Sequence, residues 1–236
     1  MSAPRINLLL TRPDGTNGDL VSALAPDVRE LLELVEAPLL EIVPIAFDLV
    51  LATGEAALFT SANGVRFGPA SNGKKAFCLG SSTTRTAVEA GWNAIRCGQD
   101  ADSLVQEMLK QAPEQKLVHF HGTHTRGQVV RRLRNGGLNV DACVVYDQKL
   151  VPLTAAALSK FNDKTPVLVP LYSPRTAMQF SDQCPNLAAV HVIALSQAVA
   201  EQVAQRNPAS VVVSSEPSQH GMVRAIENLV RRLALG

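Results

Sequence analysis

Short apolar runs alternate with stretches of helical spacing along almost the whole chain. The runs Ile6–Leu10, Val35–Leu39, Ala57–Thr60, Ala76–Leu79, Ala94–Cys97, Leu117–Phe120, Val140–Tyr146, Val167–Tyr172, Ala189–Ala194 and Ser210–Val213 read as strands. Between them, apolar residues recur at helical spacing. The clearest case is Met222, Ile226, Leu229, Val230 and Leu233, in a helix that Ser218 is placed to cap. Leu104, Met108 and Leu109 follow the acidic start Asp100–Asp102, and Val129, Val130 and Leu133 form a third stripe. Repeated strand–helix–strand order predicts an α/β fold with parallel sheets buried on both faces. Ten such strands are too many for one small sheet, so the pattern predicts two domains. Pro26 interrupts the first helical stretch, as a kink or as a split.

Two segments break the alternation. Leu40–Phe47 follows the run at Val35 with no helix between, and Gln148–Pro152 follows the run at Val140 in the same way. Each contains a proline (Pro44, Pro152), which suits an edge or linking strand. Read as two crossings, they predict a discontinuous first domain of residues 1–39 and 150–236 and an inserted domain of residues 40–149. A weak internal repeat supports two copies of one α/β unit. TSANGVR at residues 60–66 resembles YSPRTAM at 172–178, the two serines standing 112 positions apart. LGSSTTRTAVEAG at 79–91 parallels LSQAVAEQVAQR at 195–206.

Composition removes several function classes. The chain has 236 residues, 46% of them hydrophobic and 18% charged, with a net charge of +1. That is neither a disordered chain nor the basic excess expected of a nucleic-acid binder. Aromatic residues make up only 4%, which disfavours platforms that stack bases. The longest apolar runs fall far short of the ~20 residues of a membrane span, and the run in MSAPRINLLL is too short for a signal peptide. Four cysteines without a CxxC pair are expected to be free thiols of a cytoplasmic protein.

The candidate chemistry lies just after the strands, where parallel sheets bind ligands and helix N-termini present free N–H groups. These positions hold Thr11 and Arg12; Ser61 and Asn63; Ser82 and Thr83; His121, Gly122 and Thr123; Ser173 and Arg175; and Ser196. The turns are rich in hydroxyls and arginines, and arginine outnumbers lysine 15 to 7. Taken one by one, such residues cap helices or stay solvated; taken together, they suit carboxylates or phosphates. GxGxxG, GxxxxGK[ST] and GxSxG are absent. His119, His121 and His124 have no carboxylate or thiol within their run, so no metal is expected there. Tyr146, at the exit of its strand, is either a seal for the strand end or a functional phenol.

The ordered set LLTRP, VEAPLLEI, FTSANGV, the Gly80–Gly91 segment with Thr83, CVVYDQKLVP, YSPRTAMQF and EPSQHGMVRAI resembles the uroporphyrinogen-III synthase family, over almost the whole chain. The resemblance implies two flavodoxin-like parallel-sheet domains joined by a two-stranded linker, the first domain discontinuous. It implies closure of the linear tetrapyrrole hydroxymethylbilane with loss of water and inversion of the last ring, without cofactor or metal. The course would be loss of hydroxide to an azafulvenium cation, attack by the substituted carbon of the last ring, a spiro intermediate, then fragmentation and re-closure. The substrate's eight carboxylates suit the hydroxyl- and arginine-rich turns. Tyr146 matches the tyrosine that assists hydroxide departure, and a phenol holds a proton to give at neutral pH. Thr83 matches a cleft threonine, and Ser61 and Ser173 the serines of the repeated turn. Thr11, Arg12, Asn63, Ser82, Gly122 and Ser196 complete the expected substrate-binding set. Val199 stands where the family commonly has threonine, leaving open whether Ser196 replaces it. A transient contact with the preceding pathway enzyme fits this role; nucleic acid and membrane do not. The competing readings are a non-catalytic two-lobed binding protein for a small polyanion and, more distantly, a transferase using a nucleotide sugar.

Overall fold

The computed structural model describes residues 5–13, 15–162, 165–184 and 186–235. Along the chain come β1 (Ile6–Leu10), α1 (Gly18–Ala23), α2 (Pro26–Glu30), β2 (Leu32–Glu36) and β3 (Leu40–Pro44). There follow β4 (Ala56–Phe59), α3 (Ala62–Phe67), β5 (Lys75–Cys78), α4 (Gly80–Glu89), β6 (Asn93–Arg96), α5 (Ala101–Gln111), β7 (Leu117–Gly122), α6 (Val129–Asn135) and β8 (Val140–Leu150). The chain ends with α7 (Ala155–Lys160), β9 (Val167–Leu171), α8 (Pro174–Gln183), β10 (Val190–Ala194), α9 (Gln197–Ala204), β11 (Ser210–Val213) and α10 (Gln219–Ala234). Contacts divide it into two compact units, one of Met1–Glu41 with Lys149–Gly236, the other of Ile42–Gln148.

The first unit holds a five-stranded sheet in the order β11-β10-β9-β1-β2, all of it parallel. Strand periodicity sends Ile6, Leu8 and Leu10 to one face, against Leu20, Val28, Met222 and Ile226 of α1, α2 and α10. Leu9 goes to the other face, against Ala157, Ala177, Phe180 and Val203 of α7, α8 and α9. A strand covered on both sides must be apolar throughout, which is why β1 reads as an unbroken run.

The second unit holds a six-stranded sheet in the order β3-β8-β7-β4-β5-β6. The pairs from β4 to β8 are parallel. The edge strand β3 runs antiparallel to β8, since Ile45 N–H donates to Val145 O (3.0 Å) while Val151 N–H donates to Leu39 O (3.2 Å). These two segments are the chain's crossings, paired as a two-stranded linker. Phe59, Phe120 and Trp92 fill one face with α3 and α4; Leu58, Phe77, Leu104 and Met108 fill the other with α5 and α6. α3 lies unusually close to β7: a Cβ on Gly64 would stand 2.5 Å from Phe120 O.

Several strand bounds differ from the pattern reading. β2 starts three residues earlier, because register pairs Leu32 with Ile6. Ala37 and Leu39 remain fully buried beyond its end, with their N–H groups donating to Leu10 O and Thr11 O. The Val140 run and Gln148–Leu150 are one continuous strand. Of the two readings of Pro26, the split is the one found: it takes the first position of α2, where its missing N–H costs nothing.

Candidate active site

Each sheet reverses its winding direction once, between β1 and β9 in the first unit and between β4 and β7 in the second. Such a switch point leaves a crevice at the carboxyl ends of the two strands, because the following helices depart to opposite faces. Ser61 follows β4 and Ser173 follows β9, so the repeated serine turn sits at the switch point in both units. The two turns have nearly the same backbone, with φ/ψ of −152°/152° and −150°/152°. Each hydroxyl caps its helix by accepting the N–H three residues on, at 3.1 Å from Gly64 and 3.1 Å from Thr176.

In the second unit three of the expected residues come together. The β7–β8 register is constant from Leu117↔Val140 to His121↔Val144, then slips so that Gly122 faces Tyr146. The slip is a β-bulge, and it places Val145 and Tyr146, adjacent in sequence, on the same buried face. The Tyr146 ring lies on Gly122, where any Cβ would collide with it, and 6.1 Å from the Phe67 ring. Thr123 N–H donates to Tyr146 O (3.0 Å) and fixes the backbone. The phenol oxygen is thereby held 3.0 Å from Ser61 Oγ.

The opposite face of the same strand ends carries a second polar group. His119 Nε2 lies 2.9 Å from Thr60 Oγ1, and the His119 and His121 rings stack with centroids 4.7 Å apart. Burial pushes His119 down to about 3, with His121 adding to the shift, so the ring is neutral. His121 Nδ1 donates to Gly122 O (2.7 Å), tying the peptide beneath the Tyr146 ring. Asn63 Oδ1 accepts from Arg66 (3.1 Å), which occupies it locally. Thr83 is buried in the first turn of α4, and Ser82 is exposed beside it.

In the first unit Thr11 is buried and its hydroxyl donates to Pro170 O, bridging β1 and β9. The Arg12 guanidinium lies over the Tyr172 ring, 5.3 Å from its centroid. Burial pushes the Tyr172 phenol up to about 12 despite that cation, and neither its oxygen nor Arg175 Nη1 has a hydrogen-bond partner among the described residues. Tyr172, the repeat mate of Thr60, stands immediately before Ser173. Ser196 precedes α9 with its side chain making no cap bond, whereas Val199 is buried in the core.

Comparison with known proteins gives the following matches. A crystal structure of uroporphyrinogen-III synthetase from Helicobacter pylori matches with a TM-score of 0.66 at 16% identity, covering 98% of this chain and 100% of that one. A mutant uroporphyrinogen III synthase from Thermus thermophilus matches at 12% identity over 98% and 100% of the two chains, with a TM-score of 0.46. No curated protein sequence matches the chain. The family model described as "Uroporphyrinogen-III synthase HemD" matches residues 22–224. With that match over most of its length, the chain belongs to the uroporphyrinogen-III synthase family.

Proposed function

We propose that Tyr146 and the turns after the strands carry out the family's reaction in this chain. The family is a lyase that cyclises hydroxymethylbilane in haem biosynthesis, and membership decides for an enzyme over a polyanion-binding protein. In our reading, Tyr146 gives its proton to the departing hydroxide, which leaves as water. The electron pair for the new carbon–carbon bond comes from the last pyrrole ring. After re-closure that ring's carbon gives up a proton, which restores the phenol, so the net change is loss of one water.

Substrate carboxylates are held by main-chain N–H groups at the Ser61, Ser82–Thr83, Ser173 and Ser196 turns and by hydroxyls of the last three, with Asn63, Gly122, Thr11 and Arg12 shaping the crevices. Fixed N–H donors cost no side-chain entropy to organise. The enzyme must outrun spontaneous closure to the non-inverted isomer, and a thousandfold preference needs only ~4 kcal/mol. Hydrogen bonds and shape suffice for that. No cofactor or metal has a role in this reading.

The observation that carries it is the Tyr146 phenol, fixed at 3.0 Å from Ser61 beside a switch point. Incubation with hydroxymethylbilane and assignment of the uroporphyrinogen isomer tests it; only the non-inverted isomer, at the spontaneous rate, would overturn it. No helix among the described residues is long and apolar enough to cross a membrane. A cytoplasmic location, and transient contact with the enzyme that supplies so labile a substrate, complete the proposal.

A further inference from the structure

The hydroxyl of Ser61 has one hydrogen to give and two lone pairs to receive. One lone pair is taken by Gly64 N–H at 3.1 Å, the bond that caps α3. Tyr146 Oη, at 3.0 Å, takes a second position, and the geometry allows either oxygen to be the donor. If the phenol donates, its hydrogen is spent inside the protein and none remains for a leaving hydroxide. If Ser61 donates, the phenolic hydrogen is free, and the phenol oxygen meets a fixed donor as it gains negative charge.

Resting on the reading of Tyr146 as proton donor, we infer that Ser61 is a positioning residue, which donates to Tyr146 Oη and aims its proton, rather than a ligand of a substrate carboxylate. In this arrangement Ser61 has no hydrogen left for an anion and turns only a lone pair outward. The phenol cannot swing away to find another donor, because its ring is seated on Gly122 and the bulge holds its backbone. Ser61 cannot swing either, because the cap holds its oxygen.

The repeat supplies an internal contrast. Ser173 has the same backbone and the same cap, but its remaining partner is Thr176 Oγ1 at 2.9 Å, within its own turn. One copy of the turn is coupled to a phenol on a strand 85 positions away; the other closes on itself.

The test uses Ser61→Gly and Ser61→Thr, alone and combined with Tyr146→Phe. Glycine is a good helix cap that lacks the hydroxyl, so folding is spared; threonine keeps both cap and hydroxyl. With hydroxymethylbilane as substrate, Ser61→Gly should lower kcat about tenfold, the size of one hydrogen bond to a charged group, with KM nearly unchanged. Ser61→Thr should restore kcat. In the Tyr146→Phe background, Ser61→Gly should have no further effect on kcat. A rise in KM as the main effect, or full multiplication of the two kcat losses, would overturn the inference and return Ser61 to the substrate-binding set.

A second measurement does not depend on activity. The chain has two tyrosines, so Tyr172→Phe leaves a single phenol. Its ring 13Cζ resonance should move on Ser61→Gly and return with Ser61→Thr; an unmoved resonance sinks the inference. A Tyr146→Phe variant with the wild-type rate would instead sink the proton-donor reading, whatever the resonance does.

Discussion

Gly122 faces Tyr146 one residue out of the register that aligns the preceding five pairs of β7 and β8. The missing side chain on one strand and the slipped ring on the other are one feature: the ring fills the space that a Cβ would occupy. Gly122→Ala should therefore displace the phenol from Ser61. Overpacking of this kind costs about 1–3 kcal/mol. The expected result is a lower thermal midpoint together with a fall in kcat as large as that of Tyr146→Phe. A variant that stays fully active would mean that the ring's seat does not matter.

Tyr146→Phe keeps the ring packing and removes only the hydroxyl. The rate should fall by roughly 10²-fold or less, because general acids typically contribute 10²–10⁴-fold and the pyrrole nitrogen itself helps expel hydroxide. Isomer selectivity should persist, since it arises from how the whole tetrapyrrole is folded. Initial rates and product isomer ratios, corrected for spontaneous closure, decide both points. Loss of the inverted isomer would show that the phenol controls ring inversion.

Thr83→Ala should impair turnover more than Arg231→Ala. Thr83 lies buried in the first turn of α4, after a strand end of the second unit. Arg231 is exposed on α10 and pairs with Asp27 (3.3 Å) and Glu227 (3.7 Å). Steady-state kinetics of the two variants suffice. Equal losses would argue against binding at the strand ends.

Stability should fall on acidification through His119. Its folded-state value lies near 3, below the ordinary 6.5, so between those limits the unfolded chain binds the proton and the native state does not. Stability from this group is complete above about pH 6.5 and declines as the pH falls toward 3, by at most about 1.4 kcal/mol per pH unit. His191, shifted down by burial and by Arg232, acts in the same direction. Denaturant unfolding from pH 7 to pH 4 should show a shallower decline in His119→Gln than in the wild type. Parallel curves would show that His119 is not buried neutral.

The strands covered on both faces were legible because burial forces them to be apolar from end to end; β1 agrees with the pattern to the residue. β2 was misplaced because Ala37 and Leu39 are as buried as any strand residue yet lie past the ladder. Apolarity reports burial, and burial outlasts pairing. The bulge at Tyr146 left no trace, since Val144, Val145 and Tyr146 read equally well as regular strand. Serines after strands marked the turns, but a hydroxyl's partner is set by tertiary approach. Thr11 thus proved to bridge two strands, and the Tyr146–Ser61 contact joins positions that only the sheet order brings together.

The pairing of Asn7 with Val167 has a consequence for the newborn chain. β1 is a central strand, yet β9, its neighbour on one side, lies about 160 positions downstream. At ~5–20 residues per second, the ribosome takes roughly ten to thirty seconds to deliver that partner. Through that interval the leucines of β1 have only β2 beside them, while Ile42–Gln148 emerges complete and free to close its own sheet. The amino-terminal segment is therefore the part of this protein that waits longest with apolar surface uncovered. It is where a chaperone acting on nascent chains would have the most to hold.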